Sequence, residues 1–270
     1  MIRAAIVIPT YRERLNSLES LSLRRCLEIL RHYDIHFVLP EGLVPDYIPQ
    51  ADGVYVDRFH PDFFRSLDAY NRLMLQSDFY RRFSGYSHIL VHQLDAYVFR
   101  DELDVWCGKN FDYVGAPWFE DGRLKAVAGN GGFSLRKVES FLAVLGIGCG
   151  RRVFTFNEKL ALRRSSPVSP ADFIVATVGF LRFKNTLGGF LAWPYMNEDW
   201  FYSAHAPRLA PGFKVADPAS SMAFSFEARP SELYRRNGNR LPFGCHAFHK
   251  QEPEFWREFI PFGKADEVNV

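Results

Sequence analysis

The stretch Ala4-Ala5-Ile6-Val7-Ile8-Pro9-Thr10 decides the fold class. Its apolar residues run without a polar interruption and the run ends at Pro9, which is typical of a strand buried on both faces of a parallel sheet. Leucines then recur at helical spacing over residues 15–31, and residues 35–39 form a second apolar run. The chain therefore begins with a β-α-β unit, and we expect an α/β fold built on a parallel sheet.

The alternation of strands and helices continues along the chain. Val54-Tyr55-Val56 predicts a third strand that ends at Asp57, and residues 64–83 predict one long helix with an aromatic face. Residues 88–92 predict a further apolar strand that runs straight into Gln93-Leu94-Asp95. The remaining predicted elements are helices over 102–106, 137–145, 197–205 and 255–259, and strands over 113–115, 133–135 and 223–226.

The domain organisation follows from where this regular pattern stops. We expect residues 1–270 to form a single domain, with a nucleotide-binding half over 1–145 and an acceptor-side half over 146–270. Residues 146–194 have a looser pattern of Arg-rich, Ser/Pro-rich and apolar pieces, which we interpret as a helical insertion. The apolar run 173–183 is shorter than the roughly 20 residues that span a bilayer.

The composition limits the partners that the protein can have. Of 270 residues 47% are hydrophobic and 16% aromatic, which is ample for a folded core, and 33 basic against 31 acidic residues give a net charge of +2. A nucleic-acid binder usually has a strong basic excess, so no nucleic-acid partner is expected. The four cysteines include no C-x-x-C pair, which favours a reducing compartment, the cytoplasm.

Asp95 is the strongest single candidate for a functional carboxylate. It directly follows an apolar strand, and open α/β sheets bind ligands beyond the carboxyl ends of their strands. The alternative is a helix cap or a turn, roles that aspartate also favours. Asp101 is a better cap candidate for the next helix, and this favours the interpretation of Asp95 as a metal ligand.

The segment Gly129-Asn130-Gly131-Gly132 predicts a loop that another group approaches closely. Glycines allow an approach that any Cβ would block, and the loop amides could face phosphate or sugar oxygens. The segment matches neither a P-loop nor a dinucleotide fingerprint. A plain tight turn therefore remains an equal alternative at this stage.

Two further groups of residues could take part in chemistry. Asn197-Glu198-Asp199 places two carboxylates at the start of a predicted helix, where one could act as general base, or both could simply favour the helix dipole. His246 and His249 are three residues apart late in the chain. A neutral imidazole can complete a divalent metal site, although a lone histidine is usually structural.

In this order, the four motifs resemble those of the GT-A glycosyltransferases: an aspartate motif after a central strand, a glycine-rich loop, an acidic x-Glu-Asp motif and a C-terminal histidine. The closer likeness is to a bacterial family of uncharacterised glycosyltransferase-like domains, the DUF5672 family. The strings that carry this resemblance are HQLDAYVF (92–99), DYVGAPW (112–118), GNGGFSLRK (129–137), NEDWFY (197–202) and LPFGCHAF (241–248). The resemblance covers roughly residues 6–248, which is nearly the whole chain.

The resemblance implies a GT-A, Rossmann-like fold for nucleotide-diphospho-sugar transfer, with a helical insertion in the second half. It implies a metal-dependent, hexosyltransferase-like enzyme that uses Mn²⁺ or Mg²⁺. The metal ligands that it implies are Asp95 and His246, with His249 as a substitute, and the catalytic residues are Asp199, as base of an inverting reaction, and Glu198. The donor contacts that it implies are Pro9, Thr10, Tyr11, Arg12, Asp57, Gln93, Asp95, Gly131 and Gly132.

One departure from the GT-A pattern concerns the metal. Gln93 stands where the first aspartate of Asp-x-Asp would be, so one negative charge is missing. A glutamine amide can still hydrogen-bond a ribose hydroxyl, and one carboxylate, one imidazole and a diphosphate can together hold a divalent ion. We therefore expect metal binding that is weak or assisted by the donor.

The resemblance also implies partners and alternatives. The expected donor is a UDP-sugar, and the expected acceptor is a glycan or a lipid-linked molecule, in bacterial polysaccharide biosynthesis. Arg-Arg pairs, two of which flank the looser segment, suggest peripheral contact with anionic lipid at the inner membrane.

The first alternative is an inactive GT-A-like domain that binds a glycan or nucleotide. The second is a nucleotidyltransferase, disfavoured because Pro9-Thr10-Tyr11 stands where its glycine-rich loop would be.

Overall fold

The computed structural model describes residues 3–148, 150, 186–191 and 196–263. Most of the predicted insertion lies outside these residues, as do the run 173–183 and the pairs at 151–152 and 163–164. The strands are β1 Ala4–Pro9, β2 Asp34–Pro40, β3 Val54–Phe59, β4 His88–His92, β5 Ala96–Val98, β6 Tyr113–Val114, β7 Pro117–Glu120, β8 Arg123–Ala128, β9 Phe133–Lys137, β10 Ser225–Phe226 and β11 Gly244–His246.

The helices lie between these strands and after them. The first five α-helices are α1 Ser17–Leu30, α2 Leu67–Met74, α3 Ser77–Arg82, α4 Leu103–Gly108 and α5 Val138–Leu145. Later helical segments are Leu187–Leu191, Glu198–Trp200, the π-helical Phe201–His205, Ala206–Leu209, Pro218–Phe224, Pro230–Arg236 and Pro253–Trp256, and a 3₁₀ turn covers Pro61–Phe64. Among the described residues no helix has the length and apolar character that crossing a membrane requires.

The central sheet has six strands in the order β3-β2-β1-β4-β9-β6 within the described chain. The first four are parallel to one another, whereas β9 runs antiparallel to both of its neighbours. The predicted α/β fold class with a parallel-rich sheet is confirmed. The β-α-β start is also confirmed, because α1 connects β1 to the adjacent parallel strand β2.

The sheet is covered on both faces, which explains the unbroken apolar run in β1. Ala5 and Val7 point into one core with residues of α2, α3 and α5, whereas Ile6 and Ile8 point into the other core with residues of α1 and α4. All four side chains are fully buried. Alternate residues of β1 therefore fill two different cores, and this is why its run contains no polar residue.

A second sheet brings the end of the chain back to the central one. It has the order β10-β11-β5, and β11 pairs antiparallel with β5 so that His246 lies opposite Ala96. A third apolar cluster, which includes Phe226 and Trp256, packs beneath it. This pairing places the C-terminal histidine beside the residue that directly follows Asp95 in the chain.

Four predicted elements differ from the structure, and one of them is the terminal helix predicted over 255–259, which spans Pro253–Trp256. Residues 64–83 form two helices and not one, because Ser66 caps a new helix through the Ala69 N–H and the chain breaks again before Ser77. The third strand continues to Phe59, so Asp57 lies inside it and not after it. The predicted strand 223–226 begins in fact at Ser225, since Asp217 caps a helix that continues to Phe224.

Candidate functional site

A cavity of about 410 Å³ opens beyond the carboxyl ends of β1 and β4. These two strands are neighbours at the centre of the sheet, and the strand order reverses between them, because β1 continues to β2 on one side and β4 continues towards β6 and β9 on the other. Open α/β sheets bind ligands beyond the strand ends at such a position. Predicted site residues that line the cavity are Pro9, Thr10, Tyr11, Arg12, Gln93, Asp95 and His249. The structure thus brings the predicted nucleotide loop and the aspartate motif together.

The loop after β1 is held in place by Tyr47. The Tyr47 hydroxyl lies 2.5 Å from Thr10 Oγ1 and donates to the Arg12 carbonyl at 2.9 Å. Asn16 then caps α1 through a reciprocal pair of hydrogen bonds with Glu19. Tyr11 stays 60% exposed at the rim, with the Arg12 guanidinium 5.8 Å from its ring centroid, while the Thr10 hydroxyl is already engaged.

Asp95 and His246 are in direct contact. His246 Nε2 lies 3.1 Å from Asp95 Oδ1 and 3.1 Å from Gln93 Oε1, and Nδ1 lies 3.0 Å from Glu227 Oε1. The second oxygen of Asp95 accepts a hydrogen bond from Lys250 Nζ at 2.9 Å. An imidazole between two carboxylates, with an ammonium alongside, therefore forms the centre of the site.

The electrostatics of this group follow from its burial and its partners. Burial alone would lower the pKa of His246, but the Asp95 carboxylate, followed by Glu227, raises the pKa to about 10. Burial would raise the pKa of Asp95, but His246 and then Lys250 hold that pKa well below its ordinary value. The ligand-free site thus pairs two carboxylates with two cations.

These residues fit part of a divalent metal site. Cis ligands of an octahedral ion about 2.1 Å away lie about 3 Å from each other, and His246 Nε2 has this spacing both to Asp95 Oδ1 and to Gln93 Oε1. Glu227 on Nδ1 is the kind of partner that orients a metal-bound imidazole. The described residues contain no group of three His, Cys, Asp or Glu that could hold an ion, so further oxygens would have to come from a ligand.

The predicted glycine loop is packed between two functional side chains. A Cβ on Gly132 would lie 2.1 Å from His246 Nε2, and a Cβ on Gly131 would lie 2.2 Å from Glu198 Oε1. The Gly132 carbonyl accepts from the Gln93 N–H at 2.9 Å, and the Gly132 N–H donates to Asn130 Oδ1 at 2.9 Å. The close approach predicted for the loop exists, but Gly132 does not offer its amide to a phosphate, because Asn130 already uses it.

Glu198 is held by Arg136 inside the protein. The Arg136 guanidinium donates to Glu198 Oε1 at 2.9 Å, to the Tyr80 hydroxyl at 2.9 Å and to the Gly131 carbonyl at 3.3 Å. The Arg136 side chain is 0% exposed and that of Glu198 4% exposed. This ion pair fixes the glycine loop against the start of the 198–209 helical segment.

Asp199 is less buried than Glu198 and has a different environment. Burial raises the pKa of Asp199, and the charges of Glu198 and Glu227 raise it further, to about 7, against the opposing hydrogen bond from the Trp200 N–H. Glu227 contributes to this shift, and Glu198, the neighbour of Asp199, lies against Gly131. The acidic motif and the contacts of His246 with Asp95 and Glu227 thus lie at adjacent residues of the glycine loop, Gly131 and Gly132.

Asp57 is placed away from the cavity, and His249 lies at the cavity without taking the place of His246 at Asp95. Asp57 lies within β3, where its Oδ2 is 2.7 Å from His36 Nδ1, and it does not line the cavity. It follows that the structure does not bring Asp57 to the proposed nucleotide contact. His249 lines the cavity, but its ring packs against Phe248, and the contact with Asp95 is made by His246.

Sequence reasoning missed Glu227, Lys250 and Arg136. Glu227 directly follows the short strand β10, and Lys250 follows His249, so neither has a motif of its own. Arg136 belongs to the string GNGGFSLRK, but it reads there as a strand residue. Its buried charge required a partner, and that requirement is the one signal that could have linked it to the acidic motif.

The sequence matches one protein family. The profile of the family described as "Protein of unknown function (DUF5672)" matches residues 53–246. No curated protein matches the sequence.

Solved glycosyltransferase structures resemble the chain at low identity. The apo form of GlyE from Streptococcus pneumoniae TIGR4 is 10% identical, with a TM-score of 0.46 over 99% of this chain and 62% of GlyE. A glycosyltransferase involved in glycosylation of the major capsid of PBCV-1 is 12% identical, with a TM-score of 0.47 over 96% of this chain and 100% of the other. The mannosyltransferase Ktr4p from S. cerevisiae, in complex with GDP, is 12% identical, with a TM-score of 0.34 over 43% of this chain and 40% of the other.

Proposed function

The chain belongs to the DUF5672 family, and we propose that it is a metal-dependent glycosyltransferase of the GT-A type, which transfers a sugar from a nucleotide-diphosphate donor to an acceptor hydroxyl. One observation carries the proposal: the contacts of His246 with Asp95 and Glu227 lie against Gly132, and the acidic motif lies against the neighbouring Gly131, beside the cavity at the centre of the sheet. These groups come from four distant parts of the sequence. Perturbed ionisable groups that converge on a ligand cavity are typical of active sites.

The donor nucleotide would occupy the cavity beyond β1 and β4. Tyr11 offers an exposed ring for the nucleobase, and the Gln93 amide lies at the level of Asp95, where a ribose hydroxyl can bind it. Arg12 and Lys250 line the same cavity and supply positive charge for the diphosphate. The donor is thus oriented with its diphosphate towards Asp95 and its sugar towards the glycine loop.

Asp95 and His246 would hold Mn²⁺ or Mg²⁺ together with oxygens of the donor diphosphate. When bound, the ion supplies positive charge that stabilises the departing diphosphate. Glu227 accepts the Nδ1 proton of His246, so Nε2 would be the nitrogen that holds the ion, once it has released to solvent the proton that it shares with Asp95 in the ligand-free site. His249 lines the cavity as the substitute histidine.

Asp199 is the proposed general base. Its carboxylate takes the proton of the acceptor hydroxyl while the hydroxyl oxygen forms a bond to the anomeric carbon. The bond between that carbon and the diphosphate oxygen breaks, and the nucleoside diphosphate leaves with the electron pair, so that the linkage is inverted. Glu198 is the other proposed catalytic residue. Its own carboxylate is buried against Arg136, so we propose that it acts on Asp199, whose pKa its charge raises.

The test is a panel of nucleotide sugars. The protein is incubated with UDP-, GDP- and dTDP-sugars and Mn²⁺, and release of the nucleoside diphosphate is measured with and without candidate acceptors. We expect release from one donor class, loss of roughly 10²–10⁴ in rate for Asp199→Asn, and unchanged rate for Asp78→Asn at an 80% exposed position. Turnover that survives in Asp199→Asn, or in EDTA, would contradict the base or the metal assignment respectively.

A second candidate function is a GT-A-like domain that binds a nucleotide or glycan without catalysis. The observation that favours it is the saturated state of Asp95, whose two oxygens already contact His246 and Lys250, together with Gln93 in place of an aspartate. The same panel separates the two, because this candidate predicts saturable nucleotide binding by calorimetry with no release of nucleoside diphosphate from any donor.

The proposed partners are a UDP-sugar and a glycan or lipid-linked acceptor of bacterial polysaccharide biosynthesis. We propose a cytoplasmic protein with peripheral contact at the inner membrane. In each of the described Arg-Arg pairs one arginine is paired with a carboxylate, and this leaves less free charge for the membrane contact: Arg25 with Glu28, Arg81 with Asp78 and Arg236 with Glu232. Co-sedimentation with anionic liposomes at low salt tests the contact, and protein that stays in the supernatant would contradict it.

A further inference from the structure

The Asp95 carboxylate is fully engaged by two cationic side chains. Oδ1 lies 3.1 Å from His246 Nε2, and Oδ2 lies 2.9 Å from Lys250 Nζ. A divalent ion that binds Asp95 needs one of these oxygens. It also cannot lie beside an ammonium without strong charge repulsion. Metal binding at Asp95 therefore requires that one of the two cations gives up its contact.

The two cations differ in how easily they can move. The His246 side chain is 12% exposed and is fixed from behind by Glu227 at 3.0 Å and above by the Gly132 backbone. The Lys250 side chain is 57% exposed. A flexible, largely exposed lysine loses little when it leaves one carboxylate. Lys250 is therefore the group that moves.

The place to which Lys250 can move is also defined. It lines the same cavity as Arg12 and the loop after β1, where the donor diphosphate is proposed to bind. A lysine ammonium is a compact, strongly hydrated point charge and a common phosphate ligand. The same side chain can thus contact Asp95 in the ligand-free protein and a diphosphate oxygen in the complex.

We propose that Lys250 is a resident counter-ion of Asp95, which a divalent ion must displace, and that the displaced ammonium binds the diphosphate of the donor. The inference rests on the proposed function, but it concerns binding and not turnover. It explains how Asp95 stays neutralised without metal. It also makes the metal and the diphosphate bind together, because each favours the position of Lys250 that the other needs.

The experiment measures the binding of Mn²⁺ and the binding of inorganic pyrophosphate separately, in the protein with all 270 residues. Lys250→Met removes the charge and keeps the length of the side chain. Mn²⁺ binding, followed by electron paramagnetic resonance without any phosphate present, is expected to become about tenfold tighter, because the competing cation is gone. Pyrophosphate binding, followed by calorimetry in EDTA, is expected to become about tenfold weaker, because a ligand is gone. These two changes have opposite signs in one variant.

The control variants locate the effect. Arg65→Met removes another positive charge from the same cavity, at a 75% exposed side chain paired with Asp62, and it should leave Mn²⁺ affinity unchanged. Asp95→Asn in the Lys250→Met protein should abolish the gained Mn²⁺ binding. Thermal unfolding of each variant checks that the fold is intact.

Several results would overturn the proposal. Unchanged or weaker Mn²⁺ binding in Lys250→Met, no Mn²⁺ binding in either protein, or unchanged pyrophosphate affinity would each do so. Failure of the proposed function is a separate result, since it would appear as absence of nucleotide release in the donor panel while the opposite shifts of Mn²⁺ and pyrophosphate affinity persist.

Discussion

At the scale of single residues, the adjacent carboxylates Glu198 and Asp199 differ in their partners. Arg136 donates directly to Glu198, whereas Asp199 accepts a single backbone hydrogen bond, at 2.6 Å from the Trp200 N–H. A carboxylate that is paired with a buried guanidinium contributes to the stability of the fold and is not available for proton transfer. One that is partly desolvated beside like charges holds its proton more tightly and suits proton transfer near neutral pH.

The pH dependence of transfer should follow Asp199. A base acts when it is deprotonated, and the pKa of Asp199 is raised from its ordinary value to about 7 by burial and by Glu198. We expect kcat/KM for transfer to rise about tenfold per pH unit below about pH 7 and to level off above it. An aspartate with an unshifted pKa would give a profile that is already level at about pH 5. A flat profile from pH 5 to 8, at saturating metal, would show that Asp199 is not the base.

The ion pair between Arg136 and Glu198 should matter for stability. Arg136→Met leaves the Glu198 carboxylate buried without its counter-charge, and we expect the free energy of unfolding in urea to fall by about 3–5 kcal/mol. The double variant Arg136→Met/Glu198→Met removes both charges and should lose less. Arg81→Met breaks an exposed pair with Asp78 and should change the free energy by less than about 0.5 kcal/mol. An equal loss in the double variant would contradict the desolvation argument.

At the scale of elements, the glycine loop connects the two halves of the site. Gly132 lies against His246, and its neighbour Gly131 lies against Glu198. Neighbouring Cα atoms are about 3.8 Å apart, so one step along the loop joins the imidazole to the acidic motif. Space, and not a left-handed backbone, is what requires glycine at these two positions.

Alanine at Gly132 should therefore impair the site more than the fold. The added Cβ would lie 2.1 Å from His246 Nε2, so the imidazole must leave Asp95. We expect loss of at least about 100-fold in kcat/KM for transfer and a destabilisation of about 1–3 kcal/mol. Gly85→Ala is the control, because its Cβ would meet nothing within 4 Å. Near-normal activity of Gly132→Ala in the donor panel would show that His246 is not needed where the structure places it.

Sequence patterns predicted elements well where the signal was local. The buried faces of four elements could be predicted correctly, from the apolar runs at β1, β2 and β4 and from the leucine spacing of α1. Residues 64–83 were predicted as one helix because apolar spacing does not reveal that Ser66 begins a new helix. The pairing of β11 with β5 brings His246 to Asp95 and joins segments about 150 residues apart. Patterns of neighbouring residues do not predict such a distant pairing.

At the scale of the whole molecule, the candidate site exists only when both sheets are formed. Asp95 follows a central strand, His246 ends a strand of the second sheet, and Asp199 lies in the first turn of the helical segment Glu198–Trp200. The resemblance to a known family predicted that these three would meet, and the contact between Asp95 and His246 is observed. It could not predict Glu227, Lys250 or Arg136, since partners that neutralise a buried charge are selected by three-dimensional packing.

Because the site joins distant segments, ligand binding should stabilise the entire fold. A ligand that binds only the folded protein adds about 2.7 kcal/mol at 100 times its Kd, which raises Tm by about 5–10 °C for a chain of this size. We expect UDP with Mn²⁺ to give such a shift in differential scanning fluorimetry, and Mn²⁺ alone to give a smaller one, because Lys250 competes for Asp95. Asp95→Asn should lose the shift, whereas Asp78→Asn should keep it. If UDP, GDP and dTDP all leave Tm unchanged in wild type with Mn²⁺, the cavity beyond β1 and β4 is not a nucleotide site.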